Sequence, residues 1–109
     1  MSEEESTCRT SIFGDKFWVN FYGYLHQLDD EPAIIYGNGD KKWYVNGKLH
    51  RVNGKPAYIC SDGSKEWRVN GVNITEQVLA WHKTNNIKYP PTTPEEEEEL
   101  AVLFKLTFG

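Results

Sequence analysis

The sequence predicts an α+β protein, mainly β with C-terminal helices, in which an antiparallel β-meander of 24-residue hairpin repeats is capped by two α-helices. Three observations carry this expectation. Residues 32–47 recur as residues 56–71 with every position displaced by 24, so that Trp43 falls on Trp67 and Asn46-Gly47 on Asn70-Gly71. Asn38-Gly39, Asn46-Gly47, Asn53-Gly54, Asp62-Gly63 and Asn70-Gly71 punctuate runs of strand-forming residues, and these residue types tolerate the positive φ that short hairpin loops require. After Gly71 the apolar spacing changes to that of a helix.

Taken in order, residues 1–11, with Glu3-Glu4-Glu5 among Ser and Thr, read as a flexible acidic leader, and residues 12–109 as a single domain. Residues 12–31 form a degenerate repeat: Gly23, Leu25, His26 and Pro32 precede Gly47, Leu49, His50 and Pro56 by 24, while Trp18 is one residue out of register. Terminal repeats are commonly atypical. Residues 32–72 hold two clear hairpin repeats. With Asn38-Gly39 and Asp62-Gly63 as two-residue loops, Ile34 faces Trp43 and Tyr58 faces Trp67. Alternation then gives a core face of Ile34, Trp43, Val45, Tyr58, Trp67 and Val69. Ala33, Ile35, Lys42, Tyr44, Ala57, Ile59, Glu66 and Arg68 take the opposite face. Residues 48–52 fit either a strand or a loop.

Residues 73–85 carry a capping-box pattern, with Asn73 as N-cap and Glu76 at N3, and place Ile74, Val78 and Trp81 on one helical side. Residues 86–93 are a Pro-containing linker. A second helix spans 94–107, with Thr93 as N-cap, Pro94 at N1 and Glu96 at N3, and Leu100, Leu103 and Phe104 on its apolar side.

Charge is unevenly distributed. Residues 1–31 sum to −5, residues 32–79 to +3 and residues 80–109 to −2, for a net −4. That balance argues against a general binder of nucleic-acid phosphate, although a local basic strip on the repeats is compatible with it. The 2 cysteines, Cys8 and Cys60, make no disulfide framework, no apolar signal segment follows Met1, and no apolar run approaches spanning length. The expectation is a reduced, cytoplasmic protein without direct membrane insertion.

The run Trp43-Tyr44-Val45-Asn46-Gly47-Lys48-Leu49-His50-Arg51-Val52-Asn53-Gly54-Lys55-Pro56-Ala57 resembles the W-x-x-N-G-x-x-H-R-x-x-G-x-P-A repeat of largely uncharacterised proteins in bacteriophages and large DNA viruses. It is similar, more distantly, to MORN repeats, which are hairpin units of nearly this period. The chain departs from MORN repeats at Arg51, where Gly usually follows the His, and in its third copy, whose second turn runs into a helix. The resemblance covers residues 25–71, implies a binding role and transfers no catalytic residue.

Candidate chemistry is sparse. His26 and His50 share a repeat position and read as structural residues, because no zinc-ligand spacing accompanies them. Cys60, in a strand beside Ile59, reads as a packed small hydrophobe with no orienting group to make it a nucleophile. No catalytic residue, metal or cofactor is expected. Binding candidates are Tyr44, Arg68, Lys42, Arg51 and Ile35, a mixed aromatic and basic patch, and Glu95, Glu96, Glu98 and Glu99, an acidic helical face. The first reading is a small non-catalytic viral interaction protein that binds a host protein and inhibits a host enzyme or defence system. Capture of a nucleotide-like ligand by the patch, across a homo-oligomer, is the alternative, and a structural scaffold is the third.

Overall fold

Short turns divide most of the chain into small antiparallel units. The computed structural model describes residues 7–27 and 29–108. Its strands are β1 (Thr7–Thr10), β2 (Lys16–Val19), β3 (Ile34–Ile35), β4 (Lys41–Lys42), β5 (Tyr44–Val45), β6 (Lys48–Leu49), β7 (Tyr58–Ile59), β8 (Lys65–Glu66), β9 (Arg68–Val69) and β10 (Val72–Asn73). Helices α1 (Thr75–Thr84) and α2 (Pro94–Phe108) follow. One six-stranded sheet has the order β1-β2-β3-β4-β7-β8, with every pairing antiparallel, while β5–β6 and β9–β10 are separate hairpins. Mainly antiparallel β structure with two C-terminal helices is thus what forms.

The side hairpins branch at tryptophans. Trp43 donates its N–H to the Ala57 carbonyl in the main sheet (2.8 Å), and its own carbonyl accepts the His50 N–H from the side hairpin (2.9 Å). The carbonyls of Trp18 and Trp67 do the same for the N–H groups of His26 (3.0 Å) and Ile74 (2.9 Å). Trp18 therefore occupies the equivalent backbone position despite its sequence offset. The extra residue is absorbed in the loop between Val19 and Leu25, which Asn20 staples by accepting the N–H groups of Tyr22 (3.0 Å) and Tyr24 (3.1 Å).

The expected register is corrected by one residue. Tyr36 N–H bonds the Asp40 carbonyl (2.9 Å) and Cys60 N–H the Ser64 carbonyl (2.8 Å), so Gly37-Asn38-Gly39 and Ser61-Asp62-Gly63 are three-residue loops. Only the last residue of each turns left-handed, Gly39 at φ 100° and Gly63 at φ 94°. A two-residue loop of the expected kind needs positive φ at both positions, and that occurs instead at Asn46-Gly47, Asn53-Gly54 and Asn70-Gly71. Ile34 consequently faces Lys42 rather than Trp43, and Tyr58 faces Glu66 rather than Trp67. A one-residue slip exchanges the faces of a strand. Ile34 and Tyr58 leave the tryptophan side, and Ala33 and Ala57 join it.

Extending that ladder by its hydrogen bonds sets Ala33 opposite Trp43, Trp43 opposite Ala57, and Ala57 opposite Trp67. Both alanines are 0% exposed, and the indoles 8% and 3%. Neighbouring strands lie only about 4.8 Å apart, too close for indoles side by side, so an intervening methyl makes room for each ring.

One further expectation changes, and one open alternative is decided. Thr7–Thr10 pairs along its whole length with Lys16–Val19, so the ordered sheet begins inside the expected leader; residues 1–6 of that leader lie outside the described residues. The cause is Ile12-Phe13-Gly14, which closes a loop of the same kind through Ser11 N–H and the Asp15 carbonyl (2.8 Å). Residues 48–49, open in the sequence, pair as β6 with β5.

Helix α1 starts one residue late. Ile74 holds the N-cap backbone position without a side-chain cap, while Asn73, the expected cap, ends β10 and accepts the Thr75 N–H (3.0 Å). In α2, Thr93 Oγ1 accepts the Glu96 N–H (3.1 Å), the capping bond that the sequence predicts. Val78 and Phe104 bury themselves on Trp67, with Val69, Ile74, Trp81, Tyr89 and Phe108 around them. Burying a side chain such as Val78 stabilises by about 1.5 to 3 kcal/mol. Leu103, expected on this apolar side, is instead 40% exposed.

Candidate functional site

The expected patch of Tyr44, Arg68, Lys42, Arg51 and Ile35 does not assemble on one face. Ile35 pairs with Lys41 and Lys42 with Ile34, so Ile35 and Lys42 point to opposite sides of the sheet. Tyr44 and Arg68 lie on the side hairpins, where Tyr44 opposes Leu49. Arg68 is already engaged, bonding Glu66 Oε1 of β8 through Nε and the Gly71 carbonyl of its own hairpin through Nη1 (2.9 Å).

Arg51 is held more tightly still. Its Nε and Nη2 grip the two carboxylate oxygens of Asp30 (2.8 and 3.2 Å), Nη1 bonds the Pro56 carbonyl (3.1 Å), and the guanidinium lies over the Trp43 ring. Lys55 adds a second cation to Asp30 (2.9 Å) and approaches Glu97 of α2 (3.8 Å). Burial pushes the Asp30 carboxyl up, but the hydrogen bonds and charges of Arg51 and Lys55 outweigh it and hold Asp30 below the ordinary aspartate range. Arg51, Lys55 and Glu97 border a cleft of about 260 Å³ against residues 89–91, and their charges are already engaged, Arg51 and Lys55 with Asp30 and Glu97 with Lys55.

The acidic candidates also divide. Glu96 folds back on the Thr92 N–H (3.2 Å) and lies 3.6 Å from Lys88, and the Thr92 bond leads the causes that lower its carboxyl. Glu95, Glu98 and Glu99 are exposed on α2.

What the corrected register does bring together is a different surface. Arg9, Phe17, Ile34, Lys42, Tyr58 and Glu66 are directly opposite one another in successive strands and form one row across the sheet. Alternation adds Tyr36 and Cys60 to the same side. The Lys42 ammonium sits 4.7 Å from the Tyr58 ring centre and 5.5 Å from that of Tyr36, within the range in which a cation is attracted to an aromatic face. A hydrogen bond with Cys60, with desolvation second, pushes the Tyr58 phenol up to about 12. Phe17, Ile34, Tyr36, Lys42 and Tyr58 are all half-buried. The helices pack on the Trp67 side, so this row lies on the face away from their core. Sequence reasoning missed Phe17, Ile34, Tyr36 and Tyr58, and the recurrent Tyr36-to-Cys60 and Ile34-to-Tyr58 positions were the available signal.

His26 and His50 are structural acceptors. Nδ1 of His26 takes the Asn46 N–H (3.0 Å) and Nδ1 of His50 the Asn70 N–H (2.9 Å), each linking one unit to the next. Among the described residues, no group of three or more His, Cys, Asp or Glu is placed to hold a metal ion. Among the described residues, no helix is long and apolar enough to cross a membrane. No protein-family model, curated protein or solved structure matches this chain.

Proposed function

We propose that the chain is a non-catalytic interaction module built of MORN-like hairpin repeats, which binds a macromolecular partner through the sheet face carrying Phe17, Ile34, Tyr36, Lys42 and Tyr58. The observation that carries this reading is the division of labour between the two faces: one buries the tryptophans and alanines and receives the helices at Trp67, and the other keeps a partly exposed aromatic and aliphatic row. Aromatic side chains such as Phe17, Tyr36 and Tyr58 are the residue types that interface centres favour.

The repeat reading is supported by hydrogen bonds that recur 24 residues apart. Trp43 Nε1 donates to the Asp30 carbonyl and Trp67 Nε1 to the Gly54 carbonyl, both at 2.9 Å. His26 and His50 accept from Asn46 and Asn70 in the same relation. The resemblance to repeats of bacteriophages and large DNA viruses supplies the setting: a viral protein acting in the host cytoplasm on a host protein, inhibiting an enzyme or defence system.

The test is capture from bacterial lysate by the full chain, compared with Ile34→Asp and Tyr58→Ser on the proposed face and Glu99→Gln on α2. A partner retained by wild type and Glu99→Gln but lost by both face variants supports the reading. Equal retention by all of them, with melting temperatures unchanged, overturns it.

A further inference from the structure

The row of side chains beside the tryptophans is a second and chemically distinct surface. Lys16 pairs with Ile35, Ile35 with Lys41, Lys41 with Ile59, and Ile59 with Lys65, so the order across the sheet is Lys-Ile-Lys-Ile-Lys. Lys16, Lys41 and Lys65 are exposed, and Ile35 and Ile59 half-buried. Among the described residues none of the three lysines has a carboxylate within ion-pair distance; Lys65 Nζ donates only to its own loop, at the Gly63 carbonyl (3.1 Å). The other cations around this region, Arg51 and Lys55, are paired with Asp30. A chain of net charge −4 thus keeps in line on one face three cations with no ion-pair partner among the described residues.

We propose that this row docks an acidic amphipathic helix of a partner protein. The spacing favours a helix. Strands about 4.8 Å apart put consecutive lysines about 9.6 Å apart, with an isoleucine midway. Seven residues of α-helix advance about 10.5 Å, and three or four residues about 4.5 to 6 Å. Acidic residues every seventh position therefore meet the lysines, and apolar residues three or four positions further on meet Ile35 and Ile59. An extended strand fits less well, because a step of about 10 Å is three residues and turns the side chain to the opposite face. Single-stranded nucleic acid asks for aromatic stacking platforms between its cations, and here the intervening residues are isoleucines.

The proposal uses the face opposite Tyr58 and stands apart from the function proposed above. Its test is fluorescence anisotropy with the full chain and a labelled synthetic helix bearing Glu at every seventh position and Leu at the third and fourth positions between. A scrambled peptide of the same composition and an oligothymidylate are the comparison probes. The designed helix is expected to bind in a salt-sensitive manner and to outcompete both. Lys41→Glu weakens it by about fivefold, the scale of one exposed ion pair, and Lys16→Glu with Lys65→Glu weaken it further. Tyr58→Ser leaves it unchanged. Equal binding of the scrambled peptide, tighter binding of the oligothymidylate, or indifference to the lysine reversals in variants of unchanged melting temperature each overturns the proposal.

Discussion

The guanidinium of Arg51 lies over the indole of Trp43, 3.8 Å from the ring centre, and the same Arg51 grips Asp30, whose carbonyl receives the Trp43 indole N–H. Asp30 and Arg51 thereby hold the ring by its edge and its face. In the next unit Gly54 supplies the carbonyl for Trp67, and Val78 and Phe104 of the helices pack where no arginine is available. Thr75, which opens α1, is the residue 24 after Arg51. The helices thus do for the last tryptophan what an arginine does for the one before it.

Replacing Arg51 by Lys is expected to cost about 1 to 3 kcal/mol, because a lysine has neither the two-pronged donor fork for Asp30 nor a planar guanidinium to stack on Trp43. Urea denaturation of Arg51→Lys and Arg51→Ala measures this. A lysine variant as stable as wild type contradicts it. Asp30 also makes stability acid-sensitive: its folded pKa is depressed, so its contribution is present above the ordinary aspartate value of about 4 and is lost as pH falls through the folded value. Asp30→Asn is expected to lower stability at neutral pH and flatten that acid limb.

Gly54 has φ +76°, and a Cβ placed there would lie 3.0 Å from Leu100 Cγ. Gly54→Ala is therefore expected to destabilise by about 1 to 3 kcal/mol, through the left-handed backbone and the crowding of α2. Leu100→Ala in the same chain relieves only the crowding. A double-mutant cycle by thermal denaturation should show the two substitutions costing less together than the sum of their separate effects.

Burial lowers the pKa of both His50 and His82. Their neutral forms are favoured in the fold, so the associated stability is whole above the ordinary imidazole value of about 6.5 and declines as pH falls through it toward the folded values. Urea midpoints measured from neutral to mildly acid pH should decrease accordingly. His50→Asn keeps an acceptor for the Asn70 N–H without a titrating ring and is expected to reduce the loss. An unchanged acid slope in that variant counts against a His50 contribution.

At the other end of the scale, the raised phenol of Tyr58 contributes stability that is present below the ordinary tyrosine value of about 10. That contribution is lost as pH rises through the folded value of about 12. Ultraviolet titration of the tyrosinate band should show Tyr58 ionising late, beside Tyr89, whose phenol burial also raises. Cys60→Ala removes the leading cause and is expected to bring that ionisation down toward the others; a titration curve identical to wild type would refute the assignment.

Sequence alone determined the elements that depend on neighbouring residues. Asn46-Gly47 and Asn70-Gly71 specify their hairpins because both residues of each pair tolerate positive φ, and Thr93 with Glu96 specifies the start of α2 because a hydroxyl there reaches an unpaired N–H three residues on. Tertiary structure alone decided the faces. At Asn38-Gly39 and Asp62-Gly63 only the glycine turns left-handed, while the Asx oxygens take the N–H groups of Asp40 (3.0 Å) and Ser64 (2.9 Å), and the lengthened loops shift the register by one. That shift moved Tyr58 away from the tryptophans and toward Lys42. It also aligned Lys16, Lys41 and Lys65 beside the tryptophans. Arg51 was readable as a cation, but its commitment to Asp30, 21 residues earlier, depends on a chain reversal that no local pattern encodes. Propensity acts over a few residues, whereas which side chains share a surface is set by pairings that a single loop residue can reverse.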